Sequence, residues 1–192
     1  MARTESTMLE LGTAAPDFCL TDVVSGDSVS LDDFAGKPLL VAFICVHCPY
    51  VQLIRHEFSR YARAYMDKGL AIAAIQSNDI ASHPEDGPDG MRGDARRFRF
   101  PFPYLLDESQ KVAKAYRAAC TPDLFLFDAD HKLYYRGQFD GSRPGSDIPV
   151  TGDSLRAATD AVLAGQPAPA EQVPSLGCNI KWIAGNEPAY YG

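Results

Sequence analysis

Leu39-Leu40-Val41-Ala42-Phe43-Ile44-Cys45-Val46-His47-Cys48-Pro49 is the stretch on which the fold turns. Its first six residues are apolar without a break, the pattern of a strand buried on both faces. Beyond Pro49, the residues Val51, Ile54, Phe58, Ala62 and Tyr65 recur at helical spacing, and Gly69 is a natural helix stop. Cys45 and Cys48 therefore stand where a strand passes into the first turn of a helix. Unpaired N–H groups and the helix dipole at that point favour thiolate over thiol. One sulfur can attack a partner disulfide, and the other, one turn away, can displace the partner. That is redox chemistry.

Outward from this stretch, Leu70 to Gln76 reads as a second apolar strand, giving a strand–helix–strand unit and parallel pairing. Upstream, Pro16 to Ser30 holds two short runs around Ser25-Gly26-Asp27, which predicts an N-terminal hairpin. Asp32 to Pro38 is a turn or short helical piece. Downstream, Asn78 to Gly93 is rich in Pro, Gly and Asp and predicts an exposed loop, followed by a basic helix to about Phe98. A short strand at Pro103–Asp107 precedes a helix at Ser109–Ala118 capped by Ser109. Asp123–Asp128 and Lys132–Phe139 predict a hairpin turning at Asp128–His131. A last helix spans Asp153–Ala164, capped by Thr151 or Asp153. The stretch from about 166 to 192, with Pro167, Pro169, Pro174 and Pro188, predicts a tail running over the surface, anchored by Trp182.

At 192 residues, 46% hydrophobic and 22% charged, the chain suits a single α/β domain over 1–192. A net charge of −7 argues against nucleic-acid or anionic-membrane partners, which need basic surface. Arg92, Arg96, Arg97 and Arg99 read as a solvated helix face. No apolar run reaches the length of a membrane span, and Met1 to Gly12 carries Glu5 and Glu10 without a signal-peptide core. The expectation is a cytoplasmic protein. In a reducing compartment Cys19, Cys45, Cys48, Cys120 and Cys178 do not form a structural disulfide framework, so the close pair reads as catalytic.

Gly12-Thr13-Ala14-Ala15-Pro16-Asp17-Phe18 with Ser28-Val29-Ser30-Leu31-Asp32-Asp33-Phe34 resembles the opening of the redoxin (AhpC/TSA-type) branch of the thioredoxin superfamily. Phe43 to Tyr50 resembles its redox centre, and Cys120-Thr121-Pro122-Asp123-Leu124-Phe125 its cis-proline loop and following strand. Gly177 to Trp182 and Gly185 to Tyr190 are similar to a bacterial subgroup of peroxiredoxin-like thioredoxin family proteins. The resemblance implies a thioredoxin-like fold, a central mixed sheet flanked by helices. It also implies a cis Pro122 beside the dithiol, with Thr121 backbone groups free to pair with an extended substrate.

The function so implied is a thiol–disulfide oxidoreductase, with Cys45 as attacking thiolate and Cys48 as resolving thiol. His47 resembles the histidine of protein disulfide isomerase and the periplasmic disulfide-forming proteins, where an imidazole stabilises the thiolate and makes the pair more oxidising. Its alternative is an exposed turn residue. Two departures stand out: Leu39 occupies the position of the buried acid of thioredoxins, and Ile44 that of the preceding tryptophan. The alternative function is a peroxiredoxin-like antioxidant peroxidase, because Cys48-Pro49 resembles a peroxidatic Cys-Pro. Against it, Cys45 and Val41 stand where that family carries Thr or Ser and Pro; Arg136 could serve as its arginine but reads better as salt-bridged or solvent-exposed. Metal binding ranks last, for no second close Cys or His pair accompanies Cys45 and Cys48. Cys120 reads as a buried structural thiol or an additional redox thiol, Cys178 as packing or a remote resolving thiol, and Cys19 as core. His56 and His83 read as solvated. No organic or metal cofactor is implied; the partners expected are a disulfide-bearing protein or a peroxide, and a reductant such as thioredoxin or a small thiol.

Overall fold

A computed structural model describes residues 3–191. The chain opens with β1 (Arg3–Glu5), then the hairpin of β2 (Cys19–Asp22) and β3 (Ser28–Ser30), and a 3-10 turn at Leu31–Phe34. The decisive stretch becomes β4 (Leu39–Phe43) and α1 (Pro49–Met66), followed by β5 (Ala71–Gln76). Alternation along β4 sends Leu40, Ala42 and Ile44 into one apolar cluster and Leu39, Val41 and Phe43 into another. An unbroken apolar run is what a strand with helices on both sides requires.

Next come a 3-10 turn at Pro84–Asp86, α2 (Pro88–Phe98), β6 (Tyr104–Leu106) and α3 (Lys111–Ala115). The two-residue β7 (Cys120–Thr121) and β8 (Asp123–Phe127) flank Pro122, and the Thr121–Pro122 bond is cis. Then follow β9 (Leu133–Arg136), α4 (Asp153–Leu163) and β10 (Leu176–Asn179). The central sheet has seven strands in the order β3-β2-β6-β5-β4-β8-β9. Within it β4, β5 and β6 are parallel and the other pairings antiparallel. On one face, α1 and α4 pack Val51, Ile54, Phe58, Leu155 and Val162; on the other lie Val112, Tyr116 and Trp182. This is the mixed sheet flanked by helices of a thioredoxin-like fold. Among the described residues no helix is long and apolar enough to cross a membrane.

Several expectations need correction. The segment after β5 is an exposed loop only in part: Ala81, Ser82, Pro84 and Glu85 are exposed, whereas Asn78 and Asp86 are buried and bonded to each other, and α2 already begins at Pro88. The helix expected from Ser109 begins at Lys111, with Gln110 at its cap in a left-handed conformation, and α4 is capped by Gly152. Cys19 is exposed, its sulfur 3.1 Å from Ser28 Oγ. The tail does more than cover the surface. Within it, β10 is the middle strand of a second, three-stranded sheet, β1-β10-β7, and Cys178 and Ile180 are buried.

Candidate active site

The dithiol forms where β4 ends. Cys48 is the N-terminal cap of α1 with extended backbone (φ −66°, ψ 122°), and Pro49 occupies the first helical position. A proline there forfeits no hydrogen bond, because that N–H has no helical partner anyway. Both sulfurs are covered: Cys45 is 1% and Cys48 0% exposed. Each sulfur is among the groups that shift the other's acidity, and both meet Thr121.

Their surroundings differ. Cys45 Sγ lies 3.4 Å from Thr121 Oγ1 and 3.9 Å from His47 Nδ1. Burial pushes its thiol well up, and the hydrogen bond to Cys48 and the negative charge of Asp86 push the same way. Cys48 Sγ lies 3.1 Å from the Thr121 carbonyl oxygen, to which it donates as a thiol. As a thiolate it accepts from the thiols of Cys178 and Cys45, and these donors hold it far below the ordinary thiol range in spite of burial. The favoured charge distribution is thus a thiolate on Cys48 and a thiol on Cys45. Sequence reading assigns the attacking role to Cys45; the groups that bias the pair toward Cys48, among them Asp86 and Cys178, arrive from distant segments.

Asp86 is fully buried and satisfied on every side. One carboxylate oxygen accepts the backbone N–H groups of Val46 (2.8 Å) and His47 (3.0 Å). The other accepts His47 Nδ1–H (2.5 Å) and Asn78 Nδ2–H (2.8 Å). It therefore shapes the Cys45–Cys48 turn as an anchor for its free N–H groups. Gly90 lets α2 close over this anchor: a Cβ there would stand 1.9 Å from the Glu85 carbonyl oxygen. His47 is not an exposed turn residue. It is half-buried between Asp86 and the ring of His83, which stacks on it with centroids 4.8 Å apart.

Thr121 backbone groups are not free either. β10 lies antiparallel to β7, with Cys178 opposite Thr121 and Asn179 opposite Cys120. The edge expected to hold an extended substrate is occupied by the chain's own strand. Beside it, a small cleft is lined by Tyr50 and Leu53 of α1, the cis Pro122, Gln138 and Leu176 of β10.

The AhpC/TSA family model matches residues 11–136. This chain belongs to the AhpC/TSA family. An uncharacterized conserved protein from Geobacillus kaustophilus, known from its crystal structure, is 52% identical with a TM-score of 0.93, covering 95% of this chain and 97% of that one. Thiol-disulfide oxidoreductase ResA of Bacillus thuringiensis subsp. konkukian is 26% identical over 132 residues, 68% of this chain and 70% of its own length. The thioredoxin domain of a thiol-disulfide oxidoreductase from Bacteroides vulgatus shares the fold at a TM-score of 0.60 and 21% identity, over 78% of this chain and 98% of that domain.

In this AhpC/TSA protein the structure brings Cys45, His47, Cys48 and Thr121 together and adds Asp86 and Cys178. Cys120 is fully buried one residue before Thr121, but its sulfur turns to the Pro122 carbonyl oxygen (3.5 Å), and burial pushes its thiol well up. Arg136 is fully buried in an ion pair with Asp123 (3.1 Å) and donates to the Arg117 carbonyl oxygen (2.8 Å). Cys45 Sγ, His47 Nδ1 and an Asp86 oxygen lie within 4.8 Å of one another, donor types that suit a borderline metal. A cation there would have to break the His47–Asp86 hydrogen bond. Nothing local marks Asp86 for this role, since Pro84-Glu85-Asp86-Gly87 has the composition of a solvated turn.

Proposed function

We propose that this protein is a thiol–disulfide oxidoreductase that cycles Cys45 and Cys48 between dithiol and disulfide. The observation that carries this reading is the meeting of Cys45 Sγ and Cys48 Sγ at Thr121, beside the N-terminus of α1. The family and the name of the ResA relative support it. In the reductive direction Cys48 thiolate attacks a partner disulfide, forming a mixed disulfide and expelling the partner's other sulfur as thiolate. Cys45 then attacks Cys48 Sγ, and its proton passes to the partner sulfur that leaves. The Cys45–Cys48 bond forms and the partner leaves reduced. His47 Nδ1, bonded to the buried Asp86 carboxylate, stands 3.9 Å from Cys45 Sγ and holds the turn that carries it. A dithiol reductant, thioredoxin-type or a small thiol, resets the pair by the reverse exchange.

Trapping tests the reading. Cys45→Ser combined with Cys178→Ser, which leaves Cys48 without a neighbouring thiol donor, should accumulate a mixed disulfide on Cys48 when challenged with a protein disulfide and lose turnover, while Cys48→Ser forms none. Wild-type turnover persisting in Cys48→Ser would overturn it.

Peroxide reduction is a second reading with one observation in its favour, a low-pKa Cys48 followed by Pro49 at a helix cap. Its weakness is Arg136, which Asp123 and the Arg117 carbonyl already engage. Stopped-flow oxidation of Cys48 by hydrogen peroxide should be no faster than that of free cysteine; a much faster reaction would promote this reading.

A further inference from the structure

Cys178 lies outside the Cys-Val-His-Cys motif, yet three independent features aim it at Cys48. Strand register sets Cys178 opposite Thr121, whose carbonyl oxygen is 3.1 Å from Cys48 Sγ. Gly177 lets β10 approach so closely that a Cβ there would stand 2.0 Å from that same oxygen. The thiols of Cys178 and Cys48 share a hydrogen bond inside one apolar cluster. Because β10 is paired with β1 on one side and β7 on the other, backbone hydrogen bonds position this thiol, not the chance of a flexible tail.

We propose that Cys178 is a third redox thiol, the internal exchange partner of Cys48, so that one disulfide is shared between Cys45–Cys48 and Cys48–Cys178. The proposal rests on the dithiol reading above and deepens it. In the step itself, Cys178 thiolate attacks Cys48 Sγ of the oxidised pair. The Cys178–Cys48 bond forms and the Cys45–Cys48 bond breaks. Cys45 leaves as thiolate and takes up the proton that Cys178 released. The exchange conserves electrons and needs no further oxidant. In the reduced protein the hydrogen bond to Cys48 and burial push the Cys178 thiol well up, and the Lys181 ammonium offsets only part of this; oxidation of Cys48 to a disulfide removes the charge behind the first of these causes. Because β10 occupies the Thr121 edge, the chain offers its own cysteine where an extended partner would lie. Oxidising equivalents can thereby pass from the covered pair to a strand of the tail.

Disulfide mapping of the full chain in a Cys19→Ser background, which removes the exposed thiol, tests this. Oxidised wild-type pairing should give a Cys48–Cys178 peptide beside Cys45–Cys48. With Cys45→Ser added and oxidised glutathione as probe, the adduct on Cys48 should resolve into Cys48–Cys178. With Cys45→Ser and Cys178→Ser together, that adduct should last at least about tenfold longer. Equal adduct lifetimes, or oxidised protein without any Cys48–Cys178 bond, would overturn the proposal. Circular dichroism confirms folding, and Cys178→Ala replaces Cys178→Ser if the latter is unfolded. The same maps report Cys45–Cys48, so failure of the parent reading shows as the absence of that bond, separately from the relay.

Discussion

Two segments outside the strand–helix unit reach the dithiol, and they act in opposite senses. The turn around Asp86 brings a buried carboxylate to the Cys45 side, where negative charge makes a second anion costly. Strand β10 brings a thiol donor to the Cys48 side, where it stabilises one. Opposed environments a few ångströms apart separate the acidities of two chemically identical groups, much as paired titratable residues in other sites take different roles. Polarity in this pair is a property of what covers it, not of the order of the cysteines in the motif.

The comparison breaks most visibly at the sulfurs. Cys48→Ser should lower turnover of a disulfide substrate by about a thousandfold or more, since a nucleophile and its activation are removed together. Cys45→Ser should retain the first exchange, read as release of the partner's first thiol. If instead Cys45 alone is trapped by substrate, the opposed-environment account is wrong.

Asp86→Asn comes next. Loss of charge-assisted bonds to Val46, His47 and Asn78 should cost about 1.5–3 kcal/mol of stability in denaturant unfolding. Removing the negative charge should also let Cys45 deprotonate at lower pH, because Asp86 raises it. Thiolate ultraviolet absorbance across pH reads this shift; an unmoved Cys45 titration would remove Asp86 from the comparison.

Gly177→Ala sharpens the other side. A Cβ against the Thr121 carbonyl forces β10 to yield, at a cost of about 1–3 kcal/mol. As the Cys178 donor withdraws, Cys48 should hold its proton to higher pH, the reverse of the Asp86→Asn effect on Cys45. The smallest change is expected at exposed Gln52, whose Nε2 donates to the Val46 (3.0 Å) and His47 (3.3 Å) carbonyl oxygens. Gln52→Ala should cost no more than about 0.5–1.5 kcal/mol, checked by thermal unfolding, with both thiol titrations unmoved.

Much of the fold was legible because it is written in short-range pattern. The apolar run of β4, the 3.6-residue spacing of α1 and the turn at Ser25-Gly26-Asp27 each declare themselves within a few residues. So did the placement of Cys45 and Cys48 at a helix entry. Asp86 was not legible: the search for a buried acid looked to Leu39, whereas the carboxylate comes from beyond β5. His83 passed as solvated because only the folded chain stacks it on His47. β10 escaped notice because Leu176–Asn179 is too short, and too broken by glycine, to carry a period.

By itself, the sequence determined that two sulfurs would meet at the start of a helix on a mixed sheet, since local propensity and hydrophobic period are carried by neighbouring residues. Only the tertiary structure decided that Asp86 would stand on the Cys45 side of the pair and Cys178 on the Cys48 side. The physical reason is range. Desolvation, Coulomb interaction and hydrogen bonding act over a few ångströms of space, and here they join residues that lie some 40 to 130 positions apart in the chain.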